Sequence, residues 1–198
     1  MKKTMIISTF PACGKTYLYK NQENIKIHDI TGEISPTFCD LDSSAYCKGE
    51  DWEKNYIDDI ERKIGSVDFI LISQHDEVLA ELHRREIPFV VVSPDNSEWL
   101  SEKERDLIKQ QWFGRFLLRD NSHIKNFESW LNHLKINYDN WTSIDSLYKY
   151  DPVTVFTLQA TEYLSDIIKD LYWKKEHYDA YIVKNFYEKD DNEDLEYS

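Results

Sequence analysis

The chain has 198 residues, and 37 Asp and Glu against 24 Lys and Arg give it a formal net charge of −13. So acidic a chain is poorly matched to a nucleic-acid backbone, and no apolar run approaches the roughly 20 residues that a membrane helix needs. With 41% hydrophobic and 14% aromatic residues it can bury a core, and only 5 Gly and 5 Pro argue against a β-rich or low-complexity protein.

The length favours one domain, or one domain with a small insert. The start, Met1-Lys2-Lys3-Thr4, is basic, but the apolar run after it is too short for a signal peptide, so a cytoplasmic protein is expected. Cys13, Cys39 and Cys47 form no CxxC pair and no Cys/His cluster, which points to free thiols rather than disulfides or zinc.

A β-prone run, Thr4-Met5-Ile6-Ile7-Ser8, leads into Thr9-Phe10-Pro11-Ala12-Cys13-Gly14-Lys15-Thr16 and then into a helix over about 15–22. Strand, tight loop, Gly-Lys-Thr and helix are the context that a phosphate-binding P-loop requires. Successive backbone N–H groups turned inward, with the positive end of the helix dipole behind them, fit a polyphosphate. Pro11, Ala12, Cys13, Gly14, Lys15 and Thr16 are therefore the expected nucleotide-binding residues. Lys15 would neutralise the β- and γ-phosphates, and the Thr16 hydroxyl would hold Mg²⁺. Thr9 stands where the usual pattern has Gly, a position that accepts a strained backbone more easily without a Cβ. Cys13 lies close to a helix N-terminus, where thiol pKa is lowered, yet a small residue tolerated in the loop is favoured over a redox switch.

Residues 24–35 read as loop, with room for a short strand at 25–27. Pro36-Thr37-Phe38-Cys39 gives a short strand that ends in Asp40-Leu41-Asp42-Ser43-Ser44. Apolar residues at Trp52, Tyr56, Ile57, Ile60 and Ile64 have helical spacing. Residues 69–72 and 89–92 are continuous apolar runs, as in strands buried on both faces, with a helix over 76–85 between them. Residues 98–147 are dense in charge and aromatics at helical spacing. A fifth strand follows Pro152, and a last helix runs over about 160–173. Strands alternating with helices predict a parallel sheet covered on both faces. The expected fold is thus α/β, a three-layer P-loop NTPase-type domain over 1–178 with five parallel strands in the order 2-3-1-4-5. Its helical lid insert spans about 97–148. Residues 188–198 carry six acids and one lysine and read as a disordered, solvated tail.

Three features narrow the chemistry. Ligands of open α/β sheets bind outside the carboxyl ends of the strands, so Asp40 and Asp42 should face the phosphates. A carboxylate there can hold Mg²⁺, or take a proton from an attacking hydroxyl. Arg115 and Arg119, at i and i+4 in the insert, share a helix face and can close over a transferring phosphoryl. The strand at 69–72 ends in Ser73-Gln74-His75 with no Walker-B acid, which moves the metal role to Asp40 or Asp42. His75, at that carboxyl edge, is a capping or packing residue or a substrate contact.

Phe10-Pro11-Ala12-Cys13-Gly14-Lys15-Thr16 resembles the Gly-x-Pro-x-Ser-Gly-Lys-Ser/Thr loop of small P-loop kinases, including polynucleotide-kinase and zeta-toxin-like enzymes. Asp40-Leu41-Asp42-Ser43-Ser44, Asn55-Tyr56-Ile57, Ser73-Gln74-His75 and Arg115-x-x-x-Arg119-x-Asn121 extend the resemblance over about residues 4–170. The whole is similar to a family of small bacteriophage and prophage P-loop proteins described as nucleotide or nucleoside kinases. That resemblance implies an ATP- and Mg²⁺-dependent phosphotransferase with a small nucleotide or nucleoside as partner. Lys15 and Thr16 would hold ATP·Mg²⁺, Asp40 and Asp42 would lie near the acceptor, and Arg115 and Arg119 would lie in the lid. A regulatory ATP-binding module that signals to a protein partner, and a polynucleotide 5′-kinase, are the alternatives.

Overall fold

The computed structural model describes residues 2–29, 32–41, 43, 46, 52–119, 124–150 and 154–175. Asp42, Ser44, Cys47, Asn121 and the acidic tail lie outside the described residues.

The continuous apolar runs become the centre of a five-stranded, all-parallel sheet. β1 (Met5–Thr9) pairs with β5 (Phe69–Ser73) on one side and β6 (Phe89–Pro94) on the other. β4 (Phe38–Leu41) lies outside β5, and β7 (Thr154–Leu158) lies outside β6. The order is therefore β4-β5-β1-β6-β7. It differs in numbering from the expected 2-3-1-4-5 because β2 (Ile27–Asp29) and β3 (Gly32–Ile34) form a separate antiparallel hairpin where loop is expected. Buried Ile27 anchors this hairpin, and Gly32, at φ 130°, supplies a backbone conformation that a side chain would oppose.

Alternation along the strands divides the core in two. Met5, Ile7, Phe69, Leu71, Val90 and Val92 share one cluster with Leu18 of α1 (Lys15–Lys20) and with Leu164, Ile168 and Leu171 of the helix α7, described over 164–175. Ile6, Ile70, Ile72 and Val91 share the other with the apolar stripes of α2 (Trp52–Lys63) and α3 (Asp76–Arg84). Helices thus cover both faces. Ile64, expected on the inward stripe, lies beyond the end of α2 and is exposed.

The aromatic block resolves into α4 (Glu102–Leu118), α5 (Phe127–Thr142) and α6 (Ile144–Tyr148). Ser101 and Glu104 close a capping box that starts α4, each side chain bonding the other's backbone N–H. Ile108, Trp112 and Phe116 turn one face of α4 inward, and Trp112 and Phe116 join the cluster that holds Phe10 and Cys13. The insert packs directly onto the segment that follows β1. α7 starts at 164 rather than about 160, because Tyr163 N–H is capped by Asp166 at 2.7 Å and residues 159–163 form a connecting loop.

Candidate functional site

The loop between β1 and α1 leaves the sheet at the carboxyl end of its central strand. Ala12 (φ 62°) and Gly14 (φ 103°) are both left-handed, which folds the backbone back on itself twice within three residues. Such alternation turns neighbouring amides toward a common point and makes a concave anion-binding nest. Among the described residues no acceptor takes the N–H of Ala12, Cys13 or Gly14. α1 is only six residues long, so the loop amides and Lys15, more than a helix dipole, supply the positive potential.

Lys15 folds back over this loop. Its Nζ donates to Thr9 Oγ1 at 2.8 Å and to Thr9 O at 3.3 Å. Thr9 is therefore no strained stand-in for glycine. It lies within β1, is fully buried, and is not among the positive-φ residues. The conformational burden expected at this position falls on Ala12 and Gly14 instead.

Thr16 Oγ1 donates to Asp40 Oδ2 at 3.1 Å, joining α1 to the end of β4. The register Asp40↔Leu71 and Ile7↔Leu71 sets Asp40 two strands from β1, on the face that carries α1. Neighbouring ligands of octahedral Mg²⁺, each about 2.0–2.1 Å from the metal, are about 2.9 Å apart. The Thr16–Asp40 pair of hard oxygens fits that ion. Among the described residues no three His, Cys, Asp or Glu side chains gather at one point.

Further along the carboxyl edge, Gln74 donates from its backbone N–H to Thr9 O and from Nε2 to Trp141 O. His75 precedes α3 without a side-chain cap. Its Nε2 lies 2.9 Å from Ser43 Oγ, and its ring meets Trp52 edge-on. His75 thus joins Ser43 to α2. Buried Asp95, just past β6, accepts from Ser97 N–H and Oγ–H and from Gln159 Nε2. Asp95 carried no motif in the sequence, although its place after a buried strand was the signal available.

The two arginines have separate surroundings. Arg115 donates to the carbonyls of Glu162 (2.6 Å) and Ala160 and stacks over the Tyr163 ring at 4.1 Å. Its guanidinium fastens α4 to the loop after β7. Arg119 terminates α4 and lies over Phe116. That 159–163 loop borders the β1–α1 loop: Leu164 N–H donates to Cys13 O at 2.8 Å, and a Cβ on Gly14 would lie 3.6 Å from Tyr163 Cβ.

Cys13 takes the packing reading rather than that of a redox switch. Burial pushes its thiol up to about 12, against the opposing influence of Lys15 and Arg115. Desolvation of a thiolate outweighs two cations and a short helix, so Cys13 is a buried packing residue, not an activated thiol. No protein-family model, curated protein or solved structure matches the chain.

Proposed function

We propose that the chain is an ATP-dependent phosphotransferase of P-loop type, acting on a small nucleotide or nucleoside, with a (deoxy)nucleoside monophosphate as the first candidate. The observation that carries this reading is the joint geometry of loop and metal pair. Two left-handed residues form a nest at the end of the central parallel strand, with Lys15 folded over it and Thr16 bonded to Asp40 at its rim.

In this reading the amides of the loop take the β-phosphate, and the Lys15 ammonium transfers from Thr9 to the phosphate oxygens. Thr16 and Asp40 would hold Mg²⁺, which when bound neutralises charge on the triphosphate. Asp40 and Asp42 belong to the acceptor side; either orients an acceptor hydroxyl or receives its proton. An ionised acceptor phosphate needs no base, and there positioning and cationic stabilisation carry the rate. Arg115 holds the loop after β7, and Arg119, at the end of α4, is the arginine assigned to the transferring phosphoryl.

The test is transfer of labelled γ-phosphate from ATP across a panel of nucleosides and nucleoside monophosphates, with Lys15→Ala as control. The expected result is one class of phosphorylated product, lost in Lys15→Ala. Clear ATP binding without transfer to any acceptor would remove the kinase reading in favour of a regulatory ATP-binding module.

A further inference from the structure

We infer that Trp112 is a positioning residue for nucleotide binding: its indole locks the phosphate loop in its anion-accepting form. The inference rests on the nucleotide-binding reading above and adds to it a residue outside the loop itself.

The peptide unit is planar. In a trans peptide the C=O and the following N–H point to opposite sides. An amide can face a bound phosphate only if the carbonyl joined to it is turned away, and a rotated peptide would present an oxygen to the anion. Two carbonyls of this loop are held by donors outside it. Pro11 O accepts from Trp112 Nε1 at 2.6 Å, and Cys13 O accepts from Leu164 N–H at 2.8 Å. The amides joined to them are those of Ala12 and Gly14, the two left-handed residues whose N–H groups have no acceptor among the described residues. Both peptides that the nest depends on are therefore fixed from behind.

The two anchors differ in kind. Leu164 N–H belongs to the backbone of α7, directly after the 159–163 loop. Trp112 reaches the loop from α4, 101 residues further along the chain. Its ring is held within an aromatic cluster, with Phe10 at 4.9 Å, Phe113 at 4.8 Å and Tyr138 at 5.3 Å between centroids. That packing leaves the indole little freedom to leave Pro11 O. The insert between β6 and β7 thus takes part in phosphate binding through a hydrogen bond to the loop's backbone, with no contact to the ligand.

The experiment compares full-length wild type, Trp112→Phe and Leu134→Ala. Phenylalanine keeps an aromatic ring in the cluster and removes the donor; Leu134→Ala removes buried apolar contact from the same core cluster and leaves the donor and its aromatic neighbours in place. ATP and ADP affinities are measured by calorimetry, with thermal unfolding as the check on folding. The expected result is about tenfold weaker binding of both nucleotides by Trp112→Phe, the scale of one lost hydrogen bond. In turnover the loss should appear in KM for ATP rather than in kcat. Leu134→Ala should lower the unfolding temperature and keep wild-type affinity.

Should Trp112→Phe fail to fold, hydrogen exchange of the Trp112 indole N–H in wild type with and without saturating ATP decides the matter, severalfold slower exchange with ATP being expected because the bond and the nucleotide stabilise each other. Unchanged affinity in Trp112→Phe, an equal loss in Leu134→Ala, or indole exchange that ATP does not slow overturns the inference and leaves the nucleotide reading standing. Wild type that binds neither nucleotide overturns both.

Discussion

The hydroxyl of Thr16 donates to Asp40 Oδ2 across 3.1 Å, tying α1 to the end of β4 over 24 residues of chain. This contact turns two separate motifs, the Gly-Lys-Thr loop and the Asp-rich strand end, into one site. With Ser73-Gln74-His75 after β5, the carboxylate beside Thr16 comes from the next strand out.

If those two oxygens share a metal, Thr16→Val and Asp40→Asn should each weaken Mg²⁺·ATP binding by about tenfold or more. The double variant should lose little beyond the worse single one, since both remove ligands of the same ion. Metal-free ATP, measured in excess chelator, should bind Asp40→Asn as well as wild type or better, because a negative charge has gone from beside the triphosphate. Equal losses with and without Mg²⁺ would exclude the metal role.

Thr9 offers a second test, in which the expected family residue is the harmful one. Thr9→Gly removes the hydroxyl that Lys15 donates to, and it places glycine inside the central strand. The lost hydrogen bond to a charged group, together with the entropy of glycine in a strand, should cost about 2 kcal/mol in urea unfolding. ATP affinity should not fall, because Lys15 leaves Thr9 when phosphate arrives. A Thr9→Gly protein more stable than wild type would show that the threonine is strained after all.

The buried thiol of Cys13 gives a chemical test of the loop's packing. With its pKa raised to about 12 by burial, it should resist iodoacetamide at pH 8, where a thiol of ordinary pKa is partly ionised. Mass spectrometry should find Cys39, half-buried though its thiol too is raised by burial, labelled before Cys13, and Cys13 labelled at the rate of unfolding. Rapid labelling of Cys13 in the native protein would favour the activated-thiol alternative.

Much of this site is legible in the sequence because its signals are local. The loop is eight consecutive residues, the buried strands are continuous apolar runs, and the carboxyl-edge rule places Asp40 beside the loop once the sheet is parallel. What the sequence hides depends on pairing across long separations. Arg115 lies in a helix with an i, i+4 partner and looks like a lid arginine, yet its donors meet the carbonyls of Ala160 and Glu162, about 45 residues away. No residue pattern announces a backbone carbonyl as a partner. The same holds for Trp112 and Pro11, and for Lys175 and Asp68.

That last pair supports a prediction at the opposite, amino end of the sheet. Asp68, just before β5, takes Lys175 on Oδ1 at 2.9 Å, and Lys2 and the N–H and hydroxyl of Thr37 on Oδ2. Lys175 is only 4% exposed. Burial alone would raise the Asp68 pKa, but the donors of Thr37, Lys175 and Lys2 together outweigh it and hold the carboxyl well below the usual range. The unfolded chain, with a carboxyl pKa of about 3.9, therefore takes up the proton first. The Asp68 contribution is present in full above about pH 4 and is lost as pH falls toward the folded value. Asp68→Asn should flatten the stability profile in that acid limb. At pH 7 it should cost about 3 kcal/mol, since the Lys175 charge stays buried without its partner. Lys175→Met should cost less, because Lys2 and Thr37 still satisfy the carboxylate. ATP affinity should be unchanged in both, with the β1–α1 loop at the other end of the strands. Urea unfolding from pH 2 to 7 measures this; an Asp68→Asn profile parallel to wild type in acid would assign the acid sensitivity to other carboxylates.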